Sequence, residues 1–108
     1  MERLREQIDR QTDRKRAQDL LWDEIIRLEG QKFHTVKGLE YTYHIRGNEM
    51  FVSRKTKSIT KASVNLAFEK ITELEGVVTG PKKLECFGAS YLYPIFIKLG
   101  LIESRGTV

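Results

Sequence analysis

Two histidines, His34 and His44, are the residues of this chain that could act as a general acid and a general base. Such a pair, with a lysine to hold a phosphate, could cleave RNA without a metal ion. The strand register predicted below places His34 on the face of Tyr41 and His44 on the opposite face, so the two rings do not converge. We therefore predict that the chain is not an enzyme, with a metal-independent nuclease using His44 as the alternative to test.

The chain lacks the residues that a metal or cofactor site needs. A zinc site requires clustered cysteine and histidine, and the chain holds one cysteine, Cys86, and two histidines. No aspartate follows Asp23, so converging carboxylates of a two-metal centre cannot be assembled. Residues 79–83 look superficially like a phosphate-binding loop, but Pro81 removes a backbone donor. We predict no catalytic residue, no metal site and no cofactor, and we interpret Cys86 as a buried thiol.

Basic side chains do cluster in one short segment. No acidic residue lies between Glu49 and Glu69, and hydroxyl residues alternate with the cations there. Phosphate oxygens bind to cations, hydroxyl donors and the N–H groups of a helix N-terminus, and all three are expected together here. The alternative is an ordinary solvated loop whose hydroxyls only cap the helix. The predicted nucleic-acid-binding residues are Arg54, Lys55, Lys57 and Lys61, supported by Lys82, Lys83 and Arg46.

The charge of the chain is distributed unevenly along its length. The formal net charge is +4, with 7 basic and 8 acidic side chains in residues 1–31 and 12 basic and 7 acidic ones in residues 32–108. The positive field therefore belongs to the second part, which favours anionic partners.

The length of 108 residues suits one domain, and the pattern of elements predicts the α+β class. Residues 1–29 read as one long helix that ends at Gly30. Its apolar stripe over residues 17–28 is expected to pack on the domain, whereas residues 1–16 project, fray or pair with a second copy. We accordingly divide the chain into an N-terminal helix, residues 1–30, and a compact α+β domain, residues 31–108.

A three-stranded antiparallel meander is predicted for residues 33–52. The two-residue turn Gly47-Asn48 pairs Arg46 with Glu49, and a second tight turn at Lys37-Gly38 adds residues 33–36 as a third strand. The face expected to meet the core comprises Leu39, Tyr41, Tyr43, Ile45, Met50 and Val52. The outer face, which could stack single-stranded bases or be covered by the long helix, comprises Phe33, Thr35, Glu40, Thr42, His44, Arg46, Phe51 and Ser53.

Three helices complete the predicted fold. Thr60 caps a helix that ends at Gly76, a short helix runs from Pro81 to residue 87, and Ser90 caps the last helix, residues 91–99. The last two are helix-turn-helix-like in outline. The final helix has no polar fringe to read base edges, so we assign it to the core; if partly exposed, its tyrosines would instead form a protein-binding patch.

These features predict a non-enzymatic, nucleic-acid-binding accessory or regulatory protein that holds phosphates, whether of DNA or RNA, as a possible homodimer through the N-terminal helix. The alternative is a small inhibitor of the phage or mobile-element type, which blocks a host nucleic-acid enzyme such as a CRISPR nuclease. The charged N-terminus lacks a signal-peptide core, and residues 91–97 are too short to span a membrane, so a cytoplasmic location without membrane association is expected.

Overall fold

The computed structural model describes residues 14–54 and 57–102, and it confirms the α+β class. The elements in chain order are α1 (Arg14–Arg27), β1 (Phe33–His34), β2 (Glu40–Tyr41), β3 (Tyr43–Arg46), β4 (Glu49–Val52), β5 (Ile59–Thr60), α2 (Lys61–Glu73), a 3₁₀ helix (Pro81–Leu84) and α3 (Ala89–Lys98).

Helix α1 confirms the predicted N-terminal helix from Arg14 onward. Apolar residues spaced three and four apart share one face of a helix, and this face of α1 lies in the core. Its buried members are Ala17, Leu21, Trp22 and Ile25. The predicted part before Arg14, including most of the segment expected to project or to form a dimer, lies outside the described residues.

The β3–β4 hairpin has the register predicted from its two-residue turn. Gly47 adopts a positive φ of 56°, which a turn of this kind needs and glycine permits without strain. The resulting pairs are Tyr43 with Val52, His44 with Phe51, Ile45 with Met50 and Arg46 with Glu49.

The predicted single meander is wrong, because the strands form two small sheets, β1–β2 and β3–β4–β5. The break falls at Thr42, whose N–H donates to the Ser53 hydroxyl at 3.0 Å instead of to a backbone carbonyl of a neighbouring strand. The third strand of the larger sheet is β5, which places Ile59 opposite Met50. Thr60, predicted only as the cap of a helix, is thus also the last residue of a strand.

The pairing of β1 with β2 is shifted by one residue from the predicted register. The Thr35 N–H donates to the Leu39 carbonyl at 2.9 Å, so three residues form the loop in place of two. A shift of one residue exchanges the faces of a strand. Phe33 therefore pairs with Tyr41 and is buried, His34 pairs with Glu40 and is exposed, and Leu39 lies in solvent. The predicted outward Phe33, the predicted sharing of a face by His34 and Tyr41, and the predicted core position of Leu39 are wrong.

Helix α2 begins as predicted, since the Thr60 hydroxyl accepts a hydrogen bond from the Ser63 N–H at 3.2 Å. Its buried residues are Val64, Ala67, Phe68 and Ile71. At the other end, Glu75 and Gly76 both take positive φ, and the Gly76 N–H donates to the Ile71 carbonyl at 2.9 Å. These contacts end the helix at the predicted place.

Helix α3 begins earlier than predicted. Gly88 has a φ of 81° and occupies the N-cap position, so Ser90 lies inside the helix and does not cap it. The preceding 3₁₀ helix also ends at Leu84, short of the predicted residue 87. The helix ends at Lys98, close to the predicted residue 99, and the Leu101 N–H donates to the Phe96 carbonyl at 3.0 Å in the manner of a Schellman motif.

The core is rich in tyrosine, and each buried hydroxyl donates to a backbone carbonyl. Tyr41 donates to Tyr91 at 2.5 Å, and Tyr43 donates to Ile25 at 2.6 Å. Most of the apolar side chains of α3 are buried, namely Leu92, Tyr93, Ile95 and Phe96. Helix α3 therefore belongs to the core, as predicted; of its tyrosines, Tyr93 is buried and Tyr91 is half-buried. Across residues 14–54 and 57–102, no helix is both long enough and apolar enough to cross a membrane.

Candidate nucleic-acid interface

The basic segment leaves the sheet at Arg54, directly after β4. The Arg54 side chain is exposed, and its Nε donates to the Glu40 carbonyl of β2 at 2.6 Å. This bond holds the Nε side of the Arg54 guanidinium group against the neighbouring hairpin. Lys55 and Thr56 follow and lie outside the described residues, so the predicted role of Lys55 stays a prediction.

Lys57 contacts a residue that lies 30 positions further along the chain. Its Nζ lies over the ring of Phe87, 5.1 Å from the centroid, which is the geometry of a cation–π contact. Phe87 lies in the turn between the 3₁₀ helix and α3. The predicted phosphate ligands Lys82 and Lys83 lie in that 3₁₀ helix and are both exposed.

The turn itself is packed tightly against β5. A Cβ atom at Gly88 would lie 2.4 Å from Cδ1 of Ile59, which is fully buried. Only a residue without a side chain allows this approach. The close packing holds the turn that bears Phe87 against the strand that follows the basic segment, and this turn is the one that follows Lys82 and Lys83 along the chain.

Lys61 has a different environment from the one that the sequence indicated. Its Nζ lies 3.1 Å from Oδ1 of Asp19 on helix α1, and the lysine side chain is only 25% exposed. No acidic residue lies between Glu49 and Glu69 in the sequence, but in the folded protein Asp19 lies beside this segment. A separation of 42 residues provides no local signal that could have revealed this pair.

The hydroxyl groups of the segment make hydrogen bonds within the protein. Ser58 donates to the Glu49 carboxylate at 2.6 Å, Ser53 accepts from the Thr42 N–H, and Thr60 caps α2. These contacts support the fold, as the alternative interpretation of an ordinary capped loop anticipated for Thr60. A phosphate would have to compete with them.

The N-terminus of α2 is also partly occupied. The Lys61 N–H donates to the Asn48 carbonyl at 2.8 Å, and the Ser63 N–H donates to Thr60. An open groove of about 460 Å³ lies beside this helix end. Lysines and carboxylates both line it, so it has no strong preference for an anion. The lining residues are Lys15, Gln18, Asp19, Asn48, Glu49, Thr60, Lys61, Ala62 and Asn65.

The outer face of the larger sheet retains an aromatic pair. The ring of His44 stacks on Phe51 with centroids 5.2 Å apart, and Arg46 is exposed at the end of the same strand. Since Phe33 is buried, one of the two aromatic residues proposed for base stacking is lost. Arg46 stands opposite Glu49, which reduces its value as a phosphate ligand.

The two histidines considered for catalysis contact different residues. His34 Nε2 lies 3.7 Å from the Glu40 carboxylate, whereas His44 rests on Phe51. Cys86, predicted to be a buried thiol, is half-buried against the core, and burial raises its pKa, which disfavours the reactive thiolate. In the described part of the chain, no three His, Cys, Asp or Glu side chains group as metal ligands would.

Comparison of the chain with protein-family models, with curated proteins and with solved structures found no significant match. An assignment of function therefore rests on the side chains described above.

Proposed function

We propose that the protein binds nucleic acid without catalysing a reaction, and that it holds backbone phosphates through Arg54, Lys57, Lys82 and Lys83. The observation that supports this proposal is the contact of Lys57 with Phe87, because Phe87 lies in the turn that directly follows the 3₁₀ helix of Lys82 and Lys83. Exposed lysine and arginine side chains neutralise phosphates and release the counterions condensed around them.

We assign Lys61 and Arg46 a smaller role in phosphate binding than the sequence indicated. Lys61 is neutralised by Asp19 at 3.1 Å, and Arg46 faces Glu49. Of the four cations named in the proposal, Arg54 and Lys57 lie in a loop, and Lys82 and Lys83 lie in a single turn of 3₁₀ helix, so none lies along a helix long enough to enter a groove. Recognition is therefore mostly electrostatic, with little selectivity for base sequence.

The test is fluorescence anisotropy of labelled single- and double-stranded DNA and RNA, titrated with protein from about 50 to 200 mM salt. Wild type should bind at micromolar concentration or below, and its affinity should fall steeply with salt. The double variant Lys57→Gln/Lys82→Gln removes one cation from each segment. It should lower the slope of log K against log salt by about 0.9 per lost contact on duplex DNA, or about 0.7 on single strands.

A matched control is Arg27→Gln/Lys98→Gln, which removes the same charge from the last turns of α1 and α3. It should leave the salt slope near that of wild type. If wild type binds no nucleic acid at the lowest salt, the proposal fails. The same cations would then be tested in the alternative role, in which they meet an acidic patch on a nucleic-acid enzyme that the protein inhibits. If both double variants lower the slope equally, the site is not where we place it.

A further inference from the structure

The tip of the β1–β2 hairpin exposes two apolar side chains to solvent. Val36 is 66% exposed and Leu39 is 46% exposed. Isolated apolar residues on a protein surface are common. These two differ because both lie at the tip of one hairpin: Val36 is the first residue of the three-residue loop, and Leu39 directly follows the loop.

This tip is held in a defined shape by Thr35. Its N–H donates to the Leu39 carbonyl at 2.9 Å, its carbonyl accepts from the Gly38 N–H at 2.8 Å, and its hydroxyl accepts from the Leu39 N–H at 3.1 Å. Below the tip, Phe33 and Tyr41 anchor the stem in the core. These hydrogen bonds hold the backbone that carries the apolar side chains, which lowers the entropy lost when a partner binds them.

The hairpin and the residue before it carry two exposed lysines. Lys37 lies within the loop, and Lys32 precedes the first strand, both exposed. The one carboxylate of the hairpin, Glu40, has His34 beside it at 3.7 Å. The stem is also tied to the proposed phosphate site, because Arg54 donates to the Glu40 carbonyl. An apolar tip with cations around it complements a groove that is bordered by phosphates.

We infer that the tip of this hairpin, residues 35–39, enters the minor groove of duplex DNA, with Val36 and Leu39 wedged against a base step. This inference rests on the proposed function. Apolar side chains inserted from the minor groove partly unstack bases, and flanking cations hold the adjacent phosphates. The minor groove of DNA is about 6 Å wide and can enclose a narrow loop. That of an RNA duplex is wide and shallow and encloses it less.

The experiment compares Val36→Ser/Leu39→Ser with Leu66→Ser, which changes an exposed leucine of helix α2 that is 58% accessible. Binding to duplex DNA, duplex RNA and single strands is measured by anisotropy over a range of salt. The hairpin variant should bind duplex DNA about tenfold more weakly or worse, because two side chains lose apolar contact. Its salt slope should be unchanged, because these side chains release no counterions. The control should match wild type.

A second readout is the fluorescence of 2-aminopurine placed in the duplex, which rises when the base is unstacked. Wild type and the control should raise it, and the hairpin variant should not. Equal DNA affinity of the hairpin variant and wild type would overturn the inference while leaving the proposed function intact. An equal loss on duplex RNA or single strands would overturn the groove assignment. Absence of any binding by wild type would instead remove the proposed function, and the inference with it.

Discussion

At the scale of single residues, Tyr43 shows how the core accommodates a polar group. Its ring is buried beneath the sheet, and its hydroxyl donates to the Ile25 carbonyl near the end of α1 at 2.6 Å. The bond satisfies a helix carbonyl and joins the helix to the sheet. Burial, assisted by the nearby carboxylate of Glu29, raises the pKa of the phenol above its usual value.

This raised pKa predicts loss of stability at alkaline pH. Above about pH 10 the unfolded chain releases the Tyr43 proton while the folded chain retains it, so unfolding becomes easier as pH rises. Tyr43→Phe should cost about 1 kcal/mol at pH 7, where only the hydrogen bond is lost. Between pH 9 and 11 it should lose less stability than wild type, as measured by urea denaturation at a series of pH values.

Tyr41→Phe provides a companion test, because burial also raises the pKa of Tyr41, whose hydroxyl donates to the Tyr91 carbonyl. Both variants should show a shallower fall of stability above pH 10 than wild type. Parallel falls in all three proteins would mean that other groups cause the alkaline loss.

At the scale of elements, loop length determined which side chains are available. The extra residue in the β1–β2 loop moved Phe33 into the core and Leu39 into solvent. A two-residue loop at Lys37-Gly38 would have had the opposite effect, since faces alternate along a strand. The exposed tip proposed to enter DNA thus arises from a one-residue difference in a turn.

The turn before α3 is the second element whose geometry is critical, and Gly88→Ala tests it. The substituted residue would have to keep a φ of 81°, and its Cβ would overlap Ile59. The two effects should together lower the free energy of unfolding by roughly 2–4 kcal/mol. Thermal or urea denaturation measures the loss.

Gly38→Ala is the matched control, because Gly38 has a φ of 87° but open space around its Cβ position. It should cost about 1 kcal/mol, which is the backbone strain alone. If Gly88→Ala costs no more than Gly38→Ala, the close approach of the turn to β5 does not constrain the fold.

At the scale of the whole molecule, charges from different elements decide which cations face solvent. Asp19 of α1 pairs with Lys61 of α2, and an exposed pair of this kind contributes little stability. Its larger effect is on the electrostatic potential of the surface, because Asp19 neutralises one cation of the basic segment.

Asp19→Asn should therefore strengthen binding to nucleic acid severalfold and raise the salt slope by up to about one contact. Anisotropy over a salt series measures both quantities. Asp23→Asn makes the same charge change one turn further along α1 and should have a smaller effect. Equal gains from the two variants would show that only net charge matters and that Lys61 makes no contact.

The sequence by itself determined those features that depend on residues a few positions apart. The Gly47-Asn48 turn defined the register of its hairpin, Thr60 began a helix, and Gly76 ended that helix. These signals are local, because a turn or cap forms from its own residues whatever packs against it. The α+β class and the buried face of α1 followed from the same periodicity.

Only the tertiary structure decided which distant residues meet. Strand β5 joined the sheet because Ile59 could be buried beside Met50, Lys61 met Asp19, and Lys57 met Phe87. Such contacts depend on how the whole core packs, and burial of apolar surface is non-directional, so no spacing in the sequence encodes them. The composition of the basic segment was therefore visible from the sequence, whereas the availability of each of its charges depended on the fold.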